Sequence, residues 1–281
     1  MKDLAILTCC DAEAQQSIDA EDQPVLERLR AKINLDYIDW QADFNPAQYR
    51  NVLIRTTWNY YLNLPEFLAR LETIAQQTNL INPFDTVRWN SDKKYLQDIA
   101  QHFKVVPTLN YDARKPLQSY FEHFDCETLV LKPRVSAGSY QTHVLHKEKN
   151  QETTLRAAAC SQSPFLIQPF LPEIAEGELS FIFLNGKLSH TVNKVPQKDE
   201  FRSQPEFGSN LQTIEAGAQL ESNAADIVSR FASDCFHARV DGVIQKTQFL
   251  LMELELIEPS LFLLDENYIE GYCEQLISFL K

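Results

Sequence analysis

The sequence predicts an α+β protein that begins with a small α/β domain. Strand-like and helix-like segments alternate over roughly the first 85 residues, which is typical of an α/β layer. Farther along, Asn185-Gly186 separates two apolar segments, and this dipeptide is the strongest short signal for a β-hairpin. Near the end, residues 249–257 are apolar enough for a buried strand yet contain two glutamates. These observations predict a layered domain followed by antiparallel sheet.

Three strands and two helices account for the N-terminal layer. The strands are predicted at residues 4–8, 35–40 and 51–55, and the first helix around residues 24–32. The second helix, over residues 65–77, has apolar residues at helical spacing and begins with a proline, which the first turn tolerates.

The rest of the chain is predicted to form two further lobes. A turn at Asn82-Pro83 marks the end of the first domain, so the predicted domains are residues 1–88, 89–164 and 165–281. Within the later two, the predicted helices are 92–103 and 266–280, and the predicted strands are 105–108, 128–132, 142–145, 165–170, 179–184 and 187–192. A polar, glycine-containing turn over residues 134–140 lies between two of these strands.

Charge and cysteine content limit the function classes. The net charge of −13 argues against nucleic acid and against an anionic membrane surface as partners, although a few clustered lysines would still bind a nucleotide. No apolar run approaches the roughly 20 residues of a membrane-spanning helix. The six cysteines include no CxxC pair and no metal-ligand spacing, so we expect reduced thiols in a cytoplasmic protein.

Three carboxylates indicate a metal site. Glu253 and Glu255 are two apart on the predicted strand and therefore project from the same face. Asp241 lies on a segment that is able to pair with this strand as a hairpin. Carboxylates that converge on a buried sheet repel one another unless a cation compensates them, and oxygen ligands without His or Cys suit Mg²⁺. The alternative is a pair of solvent-facing glutamates on an amphipathic strand.

Three lysines and one proline-containing segment are candidates for nucleotide binding. Lys132 ends an apolar strand just before a small-residue turn whose backbone N–H groups suit phosphate, although a lysine at a sheet edge also often extends into solvent. Lys93 and Lys194 have the same alternative, a solvated ammonium. Residues 168–172 run from a strand into a proline-rigid segment, so we expect free backbone groups there that are able to pair with adenine.

Together these residues resemble the ATP-grasp superfamily of carboxylate–amine ligases. The resemblance covers about residues 90–260, with the motifs in family order: D-K at Lys93, V-L-K-P at Lys132, the glycine turn, I-Q-P-F-L, G-E-x-S at Glu178, K-V-P at Lys194, E-F-R-S at Arg202, R-V-D and E-L-E. The E-F-R-S motif is similar to the glutamate-adding and glutathione-synthetase branch. The ending E-L-E-L-I-E-P-S-L resembles a smaller group that includes a cycloserine-forming ligase.

The resemblance implies an ATP-grasp fold in which two lobes clasp ATP, and it implies a role for each motif. By this resemblance the phosphates are bound by Lys93, Lys132, Ser136, Gly138 and Ser139. Adenine is held by Gln168, Pro169, Phe170 and Leu171. Glu178 binds the ribose, and Lys194 reaches the nucleotide. Asp241, Glu253 and Glu255 hold Mg²⁺, or Mn²⁺ in its place, and Arg239, Arg202 and Lys132 act on the reacting groups. Glu255 stands where many relatives have Asn, an extra anion beside the metal.

The implied chemistry is formation of an acyl phosphate from a small carboxylate, which an amine then attacks, with Arg239 or Arg202 stabilising the oxyanion. Substrate candidates are Arg55, Trp58 and Tyr60, near a strand end where α/β layers bind ligands. The alternative there is a packed Trp58 beside an ordinary surface Arg55. Glu258 and Ser260 follow the predicted strand that contains Glu253 and Glu255, and they are candidates for binding a substrate amine.

Three functions are consistent with this pattern. The leading one is a ligase that joins a small carboxylate to an amine or hydroxylamine-type nucleophile, within one molecule or between two. A second is addition of amino acids to a peptide or protein tail, which the negative charge of the chain disfavours where that tail is acidic. A third is a non-catalytic ATP-binding regulatory protein, which has less need for three acids beside Arg239. The sequence makes no prediction of the oligomeric state.

Overall fold

The computed structural model describes residues 1–12, 14–149, 151–160, 164–198 and 200–281. In this part of the chain, thirteen strands form three sheets, and eight α-helices cover them. Within the same residues, no helix combines the length and the apolar character needed to cross a membrane.

The first sheet is parallel and belongs to the N-terminal layer. Its strands are β1 (Lys2–Thr8), β2 (Leu35–Asp39), β3 (Tyr49–Thr56) and β4 (Asn79–Ile81), in the order β2-β1-β3-β4. Helices α1 (Gln15–Arg30) and α2 (Leu64–Ala75) connect them. Nearly every residue of β3 is buried, as expected for a parallel strand that is covered on both faces. The carboxyl ends of β1 and β3 therefore meet at one edge, beside the chain that follows the last strand of the protein.

The second sheet is antiparallel and carries the glycine loop, residues 134–140. It consists of β5 (Leu109–Asn110), β6 (Thr128–Pro133), β7 (His143–His146) and β8 (Phe165–Pro169), in the order β5-β8-β6-β7. Helices α3 (Phe84–Asn90) and α4 (Tyr95–Ile99) precede it, and α5 (Gln118–Phe124) and α6 (Glu152–Cys160) belong to the same lobe. Tyr120 and Phe121 of α5 share one apolar core with Leu129 and Leu131 of β6.

The third sheet carries most of the acidic residues discussed above. Its strands are β9 (Glu178–Leu184), β10 (Lys187–Val195), β11 (Asn210–Ile214), β12 (His237–Gln245) and β13 (Gln248–Glu255), in the order β11-β10-β9-β12-β13. Helix α7 (Ala218–Phe231) packs on one face, and α8 (Glu266–Phe279) contacts α1. One hydrophobic cluster joins Leu4 and Leu53 of the first sheet to Ile182 and Val192 of the third. The N-terminal layer is thus part of the same core.

Most sequence predictions of secondary structure are confirmed. The Asn185-Gly186 hairpin, the proline-initiated α2 and the pairing of β12 with β13 are all present. The described cysteines Cys9, Cys10, Cys126, Cys235 and Cys273 are free thiols, and the side chain of Cys160 lies outside the described residues.

Three predicted elements differ. Helix α1 begins at Gln15 and contains Pro24 in its interior, and residues 105–108 form an isolated bridge through Val105 rather than a strand. The predicted helix over residues 92–103 is wrong, because α4 covers only Tyr95–Ile99. The preceding Lys93 N–H donates to the Arg134 carbonyl at 2.9 Å instead of continuing a helix.

Candidate active site

The three carboxylates converge where β12 pairs with β13. Asp241 lies opposite Glu253, and Arg239 lies opposite Glu255, so their side chains share one face of the sheet. The register shifts just after Asp241, where Gly242 packs against β13. A Cβ atom on Gly242 would lie 2.4 Å from the Leu250 carbonyl oxygen, so the close approach of the strands requires glycine. The predicted acidic hairpin is therefore built as the sequence indicated.

Arg239 occupies the centre of this cluster. Its Nε donates to both oxygens of Asp241 at 3.1 and 3.0 Å, and its Nη2 donates to Glu255. Its Nη1 donates to the Ser260 carbonyl at 2.9 Å, and the Phe262 ring centre lies 5.2 Å from its Cζ. A planar guanidinium with all these partners is fixed in orientation before any substrate arrives.

The three predicted lysines reach the same cluster from three different strands or loops. Lys93 Nζ lies 3.2 Å from Glu253 Oε1 and donates to the Ser136 carbonyl at 2.6 Å. Lys194 Nζ lies 3.1 Å from Glu178 Oε1 and 3.7 Å from Asp241 Oδ1. Burial lowers the pKa of Lys132, which also lies near the Lys93 ammonium, while Glu253 opposes the shift. Lys93 and Lys194 are thus buried beside the carboxylates rather than solvated, and Lys132 is half-buried near them.

The carboxylates differ in ionisation because their neighbours differ. Burial opposes ionisation of Asp241 and Glu253, but Arg239 and Lys194 outweigh it at Asp241, and Lys93 and Lys132 outweigh it at Glu253. The pKa of each is therefore below its ordinary value. Burial raises the pKa of Glu255 to about 7 in spite of the opposing effect of Arg239. The neighbours of Asp241 and Glu253 thus favour the ionised carboxylate, whereas burial of Glu255 favours its protonated form.

The donor set fits a hard divalent cation that is shared with substrate phosphates. Asp241 and Glu253 provide only oxygen ligands, and Mg²⁺ is commonly held by one or two carboxylates together with phosphate oxygens. Among the residues that the structure describes, no three acidic, histidine or cysteine side chains already surround one point as a complete metal cage. The resident cations Arg239 and Lys93 occupy part of the space between the carboxylates.

The ribose and adenine candidates lie along the junction of the second and third sheets. Glu178 begins β9 opposite Lys194, and its second oxygen accepts a hydrogen bond from Ser203. Gln168 pairs with Val130 within the second sheet. The Phe170 N–H donates to the Thr128 carbonyl at 3.0 Å, so this group is not free, contrary to the expectation for the segment. Binding of adenine by residues 168–171 stays a prediction.

The glycine loop is tied to both neighbouring lobes. Ser136 is buried and accepts from Lys93, whereas Gly138 and Ser139 have φ values of 54° and 59° in the left-handed region. The Tyr140 ring centre lies 4.9 Å from that of Tyr61, which follows β3. The loop thus closes over the edge between the N-terminal layer and the second sheet.

Arg202 is held by local partners. Its guanidinium pairs with Glu200 at 2.6 Å, and its Cζ lies 3.6 Å from the centre of the Phe207 ring. The neighbouring Ser203, which the sequence reasoning did not select, is the residue of this motif that reaches Glu178. A catalytic role for Arg202 stays a prediction.

The substrate candidates divide into two groups. Arg55 is only 2% exposed and is committed to partners within the chain, Glu21 and the Pro259 carbonyl, instead of being open to a substrate carboxylate. Trp58 is likewise engaged, since its Nε1 donates to the Glu258 carbonyl at 3.0 Å. Tyr60 and Glu258 are buried, and burial raises the pKa of both, with Glu255 reinforcing the shift at Glu258.

Comparison with known proteins agrees with this architecture. Residues 97–244 match the family model of the prokaryotic glutathione synthetase ATP-grasp domain, which covers more than half of the chain. The chain belongs to the ATP-grasp family. Residues 4–82 match a second model, the N-terminal domain of D-cycloserine synthetase DcsG.

Individual proteins of both kinds are also similar to the chain. The cycloserine biosynthesis protein DcsG of Streptomyces lavendulae is 28% identical over 283 residues, covering 92% of this chain and 93% of that protein. A glutathione synthetase of Rhodopseudomonas palustris is 29% identical over 165 residues, covering 58% of this chain and 51% of the relative. The chain is an ATP-grasp carboxylate–amine ligase.

Solved structures show the same fold along the whole chain. The crystal structure of D-cycloserine synthetase DcsG superimposes with a TM-score of 0.85 at 26% identity and covers 99% of both chains. The D-alanine–D-alanine ligase of Bacillus anthracis superimposes with a TM-score of 0.70 at 13% identity, covering 99% of this chain and 95% of that one, and supports the fold alone.

Proposed function

We propose that this ligase uses ATP and Mg²⁺ to activate the carboxylate of an amino-acid-sized substrate, which a hydroxylamine-type nitrogen of the same molecule then attacks to close a ring. The observation that carries the proposal is similarity to a D-cycloserine synthetase along the entire chain, including the N-terminal domain, which matches the model of the corresponding DcsG domain. Cycloserine contains a cyclic amide between a carboxyl carbon and an aminooxy nitrogen, so the chemistry matches a carboxylate–amine ligase.

The cations of the site suit the first step, in which a carboxylate oxygen attacks the γ-phosphorus of ATP and ADP leaves. In this proposal Lys93 and Lys132, which lie beside the glycine loop, offset the phosphate charge. Asp241 and Glu253 are the residues that would hold Mg²⁺, which supplies positive charge to the phosphate oxygens. Lys194, held by Glu178, faces the same region from β10. Their positions near one another support phosphoryl transfer.

The second step is attack of the nitrogen on the acyl carbon, with loss of a proton from nitrogen and departure of phosphate. Arg239 is oriented by Asp241, Glu255 and the Ser260 carbonyl, so its guanidinium is available as a preorganised donor for the transferred phosphoryl group or for the oxyanion. No change in the orientation of Arg239 is then needed during the reaction, which is what transition-state stabilisation requires.

We assign binding of the substrate amine to Glu258, the buried acid that follows β13. The carboxylate of Glu258 is attracted by Lys93 and Arg239 but is repelled by the neighbouring carboxylates of Glu255 and Glu253. A substrate ammonium would compensate its negative charge. Tyr60 is buried and lies near the same carboxylate. This assignment favours a small amino acid over a peptide tail.

The test is an ADP-release assay over a panel of small carboxylates. D- and L-β-aminooxyalanine are the ring-closing candidates, and D-alanine, L-serine and γ-glutamylcysteine are the comparisons. We expect ADP and a product lighter than the substrate by one water, seen by mass spectrometry, only with an aminooxy amino acid. Hydroxylamine should trap the acyl phosphate as a hydroxamate. Release of AMP, or turnover only with an added second substrate, would refute the proposed reaction.

A further inference from the structure

Five consecutive backbone carbonyls just after β13 accept hydrogen bonds from side chains. The segment 257–261 has no regular secondary structure, and its carbonyls would otherwise lack partners. The pairs are His237 Nε2 with Ile257 O at 3.2 Å, Trp58 Nε1 with Glu258 O at 3.0 Å, Arg55 Nη1 with Pro259 O at 3.0 Å, Arg239 Nη1 with Ser260 O at 2.9 Å and His190 Nε2 with Leu261 O at 3.0 Å. Two of the five donors, Trp58 and Arg55, come from the N-terminal layer, and the other three come from the third sheet.

One carboxylate completes this arrangement from the N-terminal side. Glu21 Oε1 on α1 accepts from the Leu261 N–H at 2.7 Å and from Arg55 Nη2 at 2.6 Å. The side chains of Glu21 and Arg55 are only 14% and 2% exposed, and Asp22 Oδ1 lies 3.2 Å from Arg55 Nε. A buried guanidinium with two acids is oriented strongly. The Glu21–Arg55 pair therefore fixes both the Pro259 carbonyl and the Leu261 amide.

The same segment bears directly on the reacting groups. Ser260 orients Arg239 through its carbonyl, and the Phe262 ring centre lies 5.2 Å from Arg239 Cζ and 5.7 Å from Lys194 Nζ. Glu258 belongs to this segment as well. Any shift of residues 258–262 would therefore displace Arg239, its aromatic support and the proposed amine-binding carboxylate together.

We infer that Glu21 and Arg55 are positioning residues for catalysis, acting through the segment 257–262 on Arg239 and Glu258. They fix the position of the N-terminal layer relative to the third sheet at the active site. The catalytic consequence rests on the proposed function, since it depends on the role of Arg239, whereas the structural consequence does not. In other enzymes, a mutation far from the chemistry that displaces a reacting group by about 1 Å lowers turnover by about 100-fold.

The variants Glu21→Ala, Glu21→Gln and Arg55→Lys test this inference. Tyr49→Phe is the matched control, because Tyr49 lies on the same strand as Arg55 and also donates to a carboxylate, Asp36, but does not touch the segment. Two measurements are made on the full-length protein: amide hydrogen exchange of a peptide covering residues 257–262, and steady-state kinetics with Mg·ATP and the cyclising substrate.

We expect Glu21→Ala and Arg55→Lys to accelerate exchange in this peptide and to lower kcat by about 100-fold with less than about a threefold change in the KM for ATP. Glu21→Gln should retain much of the wild-type hydrogen-exchange protection and much of the wild-type kcat, because its amide oxygen still accepts from the Leu261 N–H. Tyr49→Phe should change neither, even if it lowers the Tm.

Three outcomes would overturn the inference: unchanged exchange in Glu21→Ala, faster exchange with wild-type kcat, or equal losses in Glu21→Gln and Glu21→Ala. If Arg55→Lys does not fold, the two Glu21 variants decide the question. If the wild-type protein turns over no aminooxy amino acid, the substrate assignment fails separately, and exchange at residues 257–262 alone decides whether Glu21 and Arg55 hold the segment.

Discussion

Lys93 Nζ lies 3.2 Å from Glu253 Oε1, which links the start of the second lobe to the last strand of the third sheet. The same ammonium donates to the Ser136 carbonyl at 2.6 Å and so also contacts the glycine loop. One cation thus connects the loop proposed to cover the phosphates with a carboxylate proposed to hold the metal. Its position therefore couples the charges of the proposed phosphate site and the proposed metal site.

Replacing Glu253 with Gln should abolish turnover while the protein remains folded. The substitution removes the charge of a proposed metal ligand and leaves Lys93 without its carboxylate partner, so we expect kcat to fall by about 100-fold or more at saturating Mg·ATP. ADP release during a Mg²⁺ titration is the measurement, with thermal denaturation to establish folding. Glu215→Gln, an exposed position near the edge of the same sheet, is the control and should behave as wild type. Wild-type activity of Glu253→Gln at limiting Mg²⁺ would assign Glu253 a structural role.

Arg239→Lys should lower kcat by about 1,000-fold with little change in the KM for ATP. Lysine keeps the charge but cannot contact Asp241, Glu255 and the Ser260 carbonyl from one planar group. The contact with the reacting group should strengthen in the transition state, which affects kcat rather than ground-state binding. Steady-state kinetics distinguish the two effects. A rise in the KM for ATP with kcat unchanged would mean that Arg239 binds ATP equally in the ground state and the transition state.

Lys93→Met should weaken binding of Mg·ATP by about tenfold, which corresponds to about 1.4 kcal/mol. Lys93 is buried beside the glycine loop, whereas the adjacent Lys94 is exposed, so Lys94→Met is a closely matched control with the same change in net charge. Calorimetric titration with a non-hydrolysable ATP analogue gives both affinities. Equal weakening in the two variants would indicate a general effect of charge and not a phosphate contact.

Local sequence rules predicted the acidic hairpin but not the contacts that surround it. The two-residue spacing of Glu253 and Glu255 was sufficient to place them on one face, because strand geometry depends only on neighbouring residues. By contrast, the bond from Lys93 to Ser136 joins segments distant in sequence, and it accompanies the shortening of the predicted helix at 92–103 to α4. Spacing alone carries no information about such a contact.

The role of Glu21 was also not evident from the sequence, for a related reason. An acidic residue on an amphipathic helix is usually solvated, and nothing in residues 15–30 indicates that Glu21 reaches the Leu261 amide. Arg55 was predicted to bind a substrate carboxylate, with an ordinary surface arginine as the alternative, but it is buried and its partners are within the chain. The family motif pointed to Arg202, whereas Ser203 next to it makes the contact with Glu178.

His237 should make the protein less stable as the pH falls below about 6.5. Burial lowers the pKa of His237 to about 3, and the nearby Arg55 guanidinium adds to the effect. The unfolded chain therefore binds a proton that the folded chain does not, and the free energy of unfolding decreases by up to about 1.4 kcal/mol per pH unit on acidification. His237→Gln keeps an amide that can donate to the Ile257 carbonyl. In urea denaturation, this variant should reduce the slope of the free energy of unfolding between pH 6.5 and 5. The control His123→Gln, at an exposed position, should leave the slope unchanged. An unchanged slope in His237→Gln would show that the imidazole is protonated equally in both states.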